Sequence, residues 1–151
     1  MADAKMEAFN ALKKAVQLDA TAVKLNLQTN NYSLPQQLYD GYTNDGLLLY
    51  NAGVEQNDKN QFNNALVNFK KAGTISRFIF DHHWGYPALD TLNLYYTSKS
   101  AIYADKEEDA VFYSKIIVDK NITRHQQQIE FETIYQWLAY YYKIKGDSAN
   151  F

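Results

Sequence analysis

One set of intervals recurs along this 151-residue chain. Gly53 precedes Ala65 by twelve residues, and Phe69 and Ala72 follow Ala65 by four and seven. Ser98, Ala110, Ser114 and Ile117 repeat all three intervals. Ala8, Leu12 and Ala15 carry the second part of the pattern alone, and Tyr135, Leu138, Ala139 and Tyr142 match the first part alone. Spacings of three, four and seven place side chains on one face of an α-helix. A unit of two such helices cannot keep its own apolar face dry and needs a neighbouring unit against it.

The clearest helix is "NQFNNALVNFKKA", residues 60–72, with Phe62, Ala65, Leu66, Phe69 and Ala72 on one side. Asn63, Asn64, Asn68, Lys70 and Lys71 take the other side. Upstream, "LLLYNAGVEQNDK" reads as a second helix, joined to the first by a tight turn at 57–60, so that the two make a helical hairpin. Small residues (Ala52, Gly53, Ala65, Ser98, Ala110 and Ala139) allow two helices to approach closely, and larger apolar residues a turn away fill the space between hairpins.

These residues resemble the tetratricopeptide repeat (TPR). The best match is "LYNAGVEQNDKNQFNNALVNFKKA", 49–72, with Leu49 in the aromatic slot, Ala52 in the Leu slot, then Gly53, Ala65, Phe69 and Ala72. "YQWLAYYYKIKGD", 135–147, is similar to a first half, and "AFNALKKAVQLDA", 8–20, to a second half with Ala20 where Pro is usual. "LYYTSKSAIYADKEEDAVFYSKII", 94–117, departs further, with Thr97, Ser98 and Ser114 in place of Leu, Gly and Phe. The repeats are also wide: Gly53 to Ser98 is 45 residues and Ser98 to Ala139 is 41, against a family period of about 34. Insertions are therefore expected near 20–37, 74–89 and 119–130.

The resemblance implies an all-α fold, a short right-handed α-α superhelix of stacked hairpins forming one domain over 1–151. Its parts would be a second-helix-like segment at 1–18, hairpins at 38–73 and 88–118, and an incomplete hairpin at 129–151. "KIKGDSANF", 143–151, reads as a helix end, a Gly-Asp turn and the start of another helix. The first expectation is thus a piece of a longer array. The second is self-association, a further copy supplying the missing helix head to tail, and the third is aromatic residues folded over the end. The resemblance also points toward a bacterial cell-envelope protein.

In TPR arrays the first helices of successive hairpins line a concave groove. Carried over by spacing, the groove positions are Tyr50, Val54 and Asn57, then Tyr95, Lys99 and Ile102, then Gln136, Tyr140 and Lys143. Tyrosine offers contact area with a hydrogen-bonding tip, so a protein or peptide partner is expected there. The same rings would alternatively fill space between hairpins. Tyr50 and Val54 occupy the slots in which chaperone-tail binders of this family carry Lys and Asn, so that clamp is not expected.

Composition narrows the remaining classes. Hydrophobic residues make up 46% and aromatics 15%, which argues against disorder. The net charge is −2 with no basic stripe, so nucleic acid is not an expected partner. The longest apolar runs are short, so no membrane span is expected. Without cysteine there is neither a disulfide nor a thiolate metal site. Asp81, His82 and His83 in "DHHWGYP", with His125, raise metal binding, but adjacent histidines diverge and no ligand spacing is present. That stretch reads better as a loop packing Trp84, Tyr86 and Pro87 over a repeat junction. Its alternative use is an aromatic platform for a small ligand or glycan. The acidic run "DKEEDA", 105–110, reads as the first turn of a helix, where carboxylates favour the dipole. No nucleophile motif or phosphate loop occurs, so no enzyme activity and no cofactor are expected.

Overall fold

The computed structural model describes residues 3–85, 89–126 and 129–146. The architecture is all-α, with seven helices packed on one another among the described residues: α1 (Ala4–Leu18), α2 (Ala20–Thr29), α3 (Ser33–Gln56), α4 (Lys59–Asp81), α5 (Thr91–Tyr103), α6 (Glu107–Asp119) and α7 (Glu132–Ile144). Two-residue strands β1 (Arg124–His125) and β2 (Ile129–Glu130) pair antiparallel between α6 and α7. From α3 onward each helix packs chiefly against the next in sequence, while α1 packs on both α2 and α3.

Side-chain oxygens start most helices. Asp3, Asp19, Asp58 and Asp90 each accept a backbone N–H of the first turn of α1, α2, α4 and α5. Before α3, Asn31 and Tyr32 adopt the left-handed conformation and reverse the chain. Pro35 is accommodated at the third helical position, where no intrahelical partner exists for the missing N–H. Asn57 ends α3 in the same left-handed conformation, and Asp58 begins α4 at once.

The α3–α4 hairpin is built on rings pressed against glycines. A Cβ at Gly46 would fall 2.6 Å from the Phe69 ring, and one at Gly53 would fall 3.0 Å from the Phe62 ring. The two contacts lie seven residues apart on each helix and run in opposite directions, which fixes an antiparallel register. In the α5–α6 hairpin the hydroxyls of Ser98 and Ser114 hydrogen-bond at 2.6 Å in full burial, beside the buried Ala101 and Ala110. Between the hairpins, Asn93 of α5 donates to the Phe69 carbonyl at 2.8 Å. Its amide oxygen lies where a Cβ on Gly73 would stand, 2.8 Å away, so the glycine opens α4 to this side chain.

Helix bounds depart from the sequence reading in two places. The insertion expected near 74–89 is helical as far as Asp81, because Ile75, Ser76 and Ile79 continue the buried stripe of α4 past Gly73. The insertion near 20–37 holds α2 and the first turns of α3. The first hairpin, expected over 38–73, therefore spans 33–81. Its added turns make a core with the N-terminal helices, in which Phe9, Leu12, Leu27, Leu38, Tyr42 and Ile79 pack with Trp84. The second core gathers Leu94, Ile117, Ile122, Phe131 and Ile134. Residues 147–151 of the expected third hairpin, and Tyr86 and Pro87, lie outside the described residues.

Asp3 ties three helices together. Its carboxylate accepts from Tyr42 of α3 at 2.6 Å and from Lys71 of α4 at 2.8 Å, besides capping α1. The Lys71 and Tyr42 hydrogen bonds hold its pKa down to about 2. A depressed carboxylate contributes stability that is complete above the ordinary Asp range and fades as pH falls toward 2. Asp3→Asn is therefore expected to lower the melting temperature at pH 6 and to shrink the drop between pH 6 and pH 2.5, read by circular dichroism. Gly46→Val is expected to cost about 1–3 kcal/mol by overpacking, read by urea unfolding, with part of the loss recovered by Phe69→Leu.

Candidate functional site

The first helices α3 and α5 meet through a cluster of tyrosines. Tyr50 of α3 lies edge-on to Tyr96 of α5, ring centroids 5.2 Å apart, and to Phe62 at 5.5 Å. Tyr103 approaches Tyr50 at 6.4 Å and Phe62 at 5.0 Å. Tyr95 meets Tyr96 at 5.0 Å and reaches Phe131, just before α7, at 5.2 Å. One row of packed aromatic rings thus runs from the half-buried Tyr50 of α3 across α5 to the fully buried Phe131 just before α7.

Burial raises the pKa of the Tyr50 phenol, helped by the neighbouring phenols of Tyr95, Tyr103 and Tyr96. Tyr96 is raised by burial and then by Tyr95. Both remain proton donors at neutral pH. None of these four hydroxyls meets an acceptor among the described residues. Elsewhere, Tyr39 bonds Asp90, Tyr42 bonds Asp3, Tyr135 bonds the Ile122 carbonyl and Tyr141 bonds Glu107.

The residues expected along a groove divide into two groups. Tyr50, Tyr95 and Ile102 are half-buried, and Lys99 is 8% exposed, packed under the rings of Tyr95 and Tyr103. Lys99 is therefore an interior side chain, against the expectation of an open groove position, because Tyr95 and Tyr103 flank it one turn away on either side. Val54, Asn57, Gln136, Tyr140 and Lys143 are exposed, Val54 at 57% and Tyr140 at 62%. Asn57 serves as the left-handed cap of α3, and Gln136 bonds Glu132 on its own helix. Sequence reasoning did not single out Tyr96, Tyr103 or Thr133. The doubled Tyr95-Tyr96 and the four-residue step from Lys99 to Tyr103 were the available signals.

The other motifs resolve into local structure. His82 caps α4 through the Phe78 carbonyl at 2.8 Å and packs on Phe78 and Trp84, while His83 is exposed. His125 pairs with Thr91 at 2.5 Å. Among the described residues, no three His, Cys, Asp or Glu side chains converge as a metal would need. Trp84 is 6% exposed and stacks on Tyr32, so it offers no open aromatic platform. In the acidic run, Asp105 pairs with Lys59, Asp109 with Lys70 and Glu107 with Lys145. These carboxylates bind α6 and its preceding turn to α4 and to the end of α7. A cavity of about 530 Å³ lies among α4, α5 and α6, lined by Phe80, Leu94, Phe112 and Ile116. Of its three lining cations, Lys70 and Arg77 pair with Asp109 and Asp81, and Lys120 pairs with no carboxylate among the described residues. No described helix is long and apolar enough to cross a membrane.

Comparison of the chain with family models, curated proteins and solved structures returns no match. The site therefore rests on its own geometry. In an alkaline titration followed by ultraviolet absorbance, part of the tyrosine signal is expected to appear above the ordinary phenol range, and Tyr50→Phe should remove one residue's worth of that late signal.

Proposed function

We propose that this chain is a non-enzymatic protein-interaction module. In this reading its hairpins stack as a divergent TPR-like superhelix, and α3, α5 and α7 line a concave groove that receives a peptide or protein segment. Two features of the packing support the stacking. Helices follow one another as neighbours from α3 to α7. Both complete repeats also bury every residue of the recurring pattern, namely Gly53, Ala65, Phe69 and Ala72, then Ser98, Ala110, Ser114 and Ile117.

The observation that carries the function is the tyrosine surface joining the first helices of two hairpins, with hydroxyls that meet no acceptor of the chain's own. Tyrosine supplies large, stiff contact area at low entropic cost and a polar tip that fixes orientation, which is why it concentrates at recognition surfaces. Val54 of α3 and Tyr140 of α7 are exposed on helices that line the groove in this reading. A helical scaffold that presents such a strip suits an extended or helical segment.

Selection from a random peptide display library, followed by calorimetry on the winners, tests the proposal. Binding is expected to weaken at least tenfold in Val54→Arg and in Tyr140→Ala, and to persist in Val67→Arg, an exposed change on α4. Failure to select any binder, or binding indifferent to both groove changes, would overturn it.

A further inference from the structure

The cavity among α4, α5 and α6 is too large to be a packing defect. Its volume of about 530 Å³ lies within the roughly 300–1,000 Å³ typical of small-molecule sites. Tyr103 of α5 meets Phe62 of α4 and Asn93 meets Phe69, so these two helices run antiparallel. The Ser98–Ser114 bond and the short turn after Tyr103 set α6 antiparallel to α5. α4 and α6 therefore run in the same direction and form the two walls, with the start of α5 as the floor. From Lys70 to Phe80 the α4 wall rises about 15 Å.

The walls are apolar and one end is cationic. Phe80, Leu89, Leu94, Phe112 and Ile116 supply most of the apolar lining. Phe112 is 60% exposed, an apolar ring that a ligand in the cavity would take out of water. Ser76 also lines the cavity; it is 4% exposed, and its hydroxyl bonds nothing among the described residues. A buried hydroxyl left in that state is costly unless something else meets it. Lys70 and Asp109 mark one end of the cavity, beside the first turn of α6. Arg77 and Lys120, further along α4 and α6, stand toward the other end. Arg77 holds Asp81 only in an exposed pair at 3.3 Å, which contributes little. Lys120 holds no carboxylate among the described residues. Asp90, the carboxylate in the lining, is committed elsewhere: it caps α5 through the Asn93 N–H and accepts from the Tyr39 hydroxyl at 2.6 Å.

We infer that this cavity binds a medium-chain fatty acid. The alkyl chain lies against Leu94, Phe112 and Ile116, and the carboxylate sits at Lys120 and Arg77, where the Ser76 hydroxyl is free to donate. Burial of the chain supplies most of the affinity, and the cations select an anionic head over a neutral one. The inference does not rest on the groove reading, because no residue expected along the groove lines this cavity.

Decanoate, decan-1-ol and acetate separate the contributions of chain and head. Each is titrated, below any micelle concentration, into the intact ¹⁵N-labelled chain, with the Phe80, Leu94 and Ile116 amides as NMR reporters. Decanoate is expected to bind about fivefold or more tightly than decan-1-ol, with the margin shrinking as salt rises from about 50 to 300 mM, and acetate to show no saturation. Lys120→Glu should weaken decanoate by about fivefold or more and leave decan-1-ol unchanged. Lys24→Glu, the same charge change on α2, should alter neither. Phe112→Ser should weaken both ligands. All three replaced side chains are exposed, so the melting temperatures without ligand should stay near that of the parent. Absence of saturable shifts at these amides, equal binding of acid and alcohol, or decanoate affinity that survives Lys120→Glu overturns the fatty-acid site. Peptides that shift these amides where decanoate does not would overturn it as well, and would make the cavity a pocket for a partner's side chain.

Discussion

The arrangement of this protein depends on how closely α3 and α4 approach each other. Phe69 and Phe62 can lie against α3 because positions 46 and 53 carry no Cβ. A side chain at either position would crowd the facing ring and force it or the helices to shift. The antiparallel register aims the buried stripe of α4, from Phe62 to Ile79, at α3 and α5 together. It also brings the Phe69 carbonyl and Gly73 to Asn93, through which the second hairpin is set against the first. The α5–α6 hairpin reaches a similar closeness by other means, with two serine hydroxyls bonded to each other where a ring would not fit.

Much of this was legible in the sequence because close helix packing needs small residues at fixed intervals. Every pattern position in the two complete repeats is buried, including the divergent Ser98 and Ser114. At the chain's ends the pattern is weaker in the structure as well. Ala15 is half-buried and Ala139 is exposed, as expected of helices that lack the other half of a hairpin among the described residues. The helix bounds were less legible. Gly73 reads as a stop by propensity, but tertiary packing overrides about 1 kcal/mol of helix penalty once Ile75 and Ile79 are buried beyond it. The true purpose of that glycine, room for a side chain 20 residues downstream, cannot be read from local pattern.

The candidate site was legible in outline and not in content. Helical spacing placed Tyr50, Tyr95 and Lys99 on the first helices, but spacing gives no account of which rings touch. Tyr96 and Tyr103 join the cluster because α5 is enclosed on several sides, so rings on neighbouring faces of one helix both find partners. The burial of Trp84, expected in part as a glycan platform, has a similar origin. A long α4 and a reversed chain at Tyr32 supply a seat for the indole that no local reading of "DHHWGYP" would reveal.

α5 explains why polarity accumulates on this face. Asn93, Thr97, Ser98, Lys99 and Ser100 are all buried within one short helix. Three of the first four are satisfied by fixed partners: Asn93 by Phe69, Thr97 by Asn93 and Ser98 by Ser114. The Asn93–Phe69 and Ser98–Ser114 bonds favour one register of α5 against α4 and α6, which an all-apolar helix would leave less defined. Lys99 differs from them in kind. Its partner Thr133 cannot offset a full charge, and an apolar residue would serve packing at lower cost. Ser100, fully buried on the same helix, has a hydroxyl with no partner among the described residues.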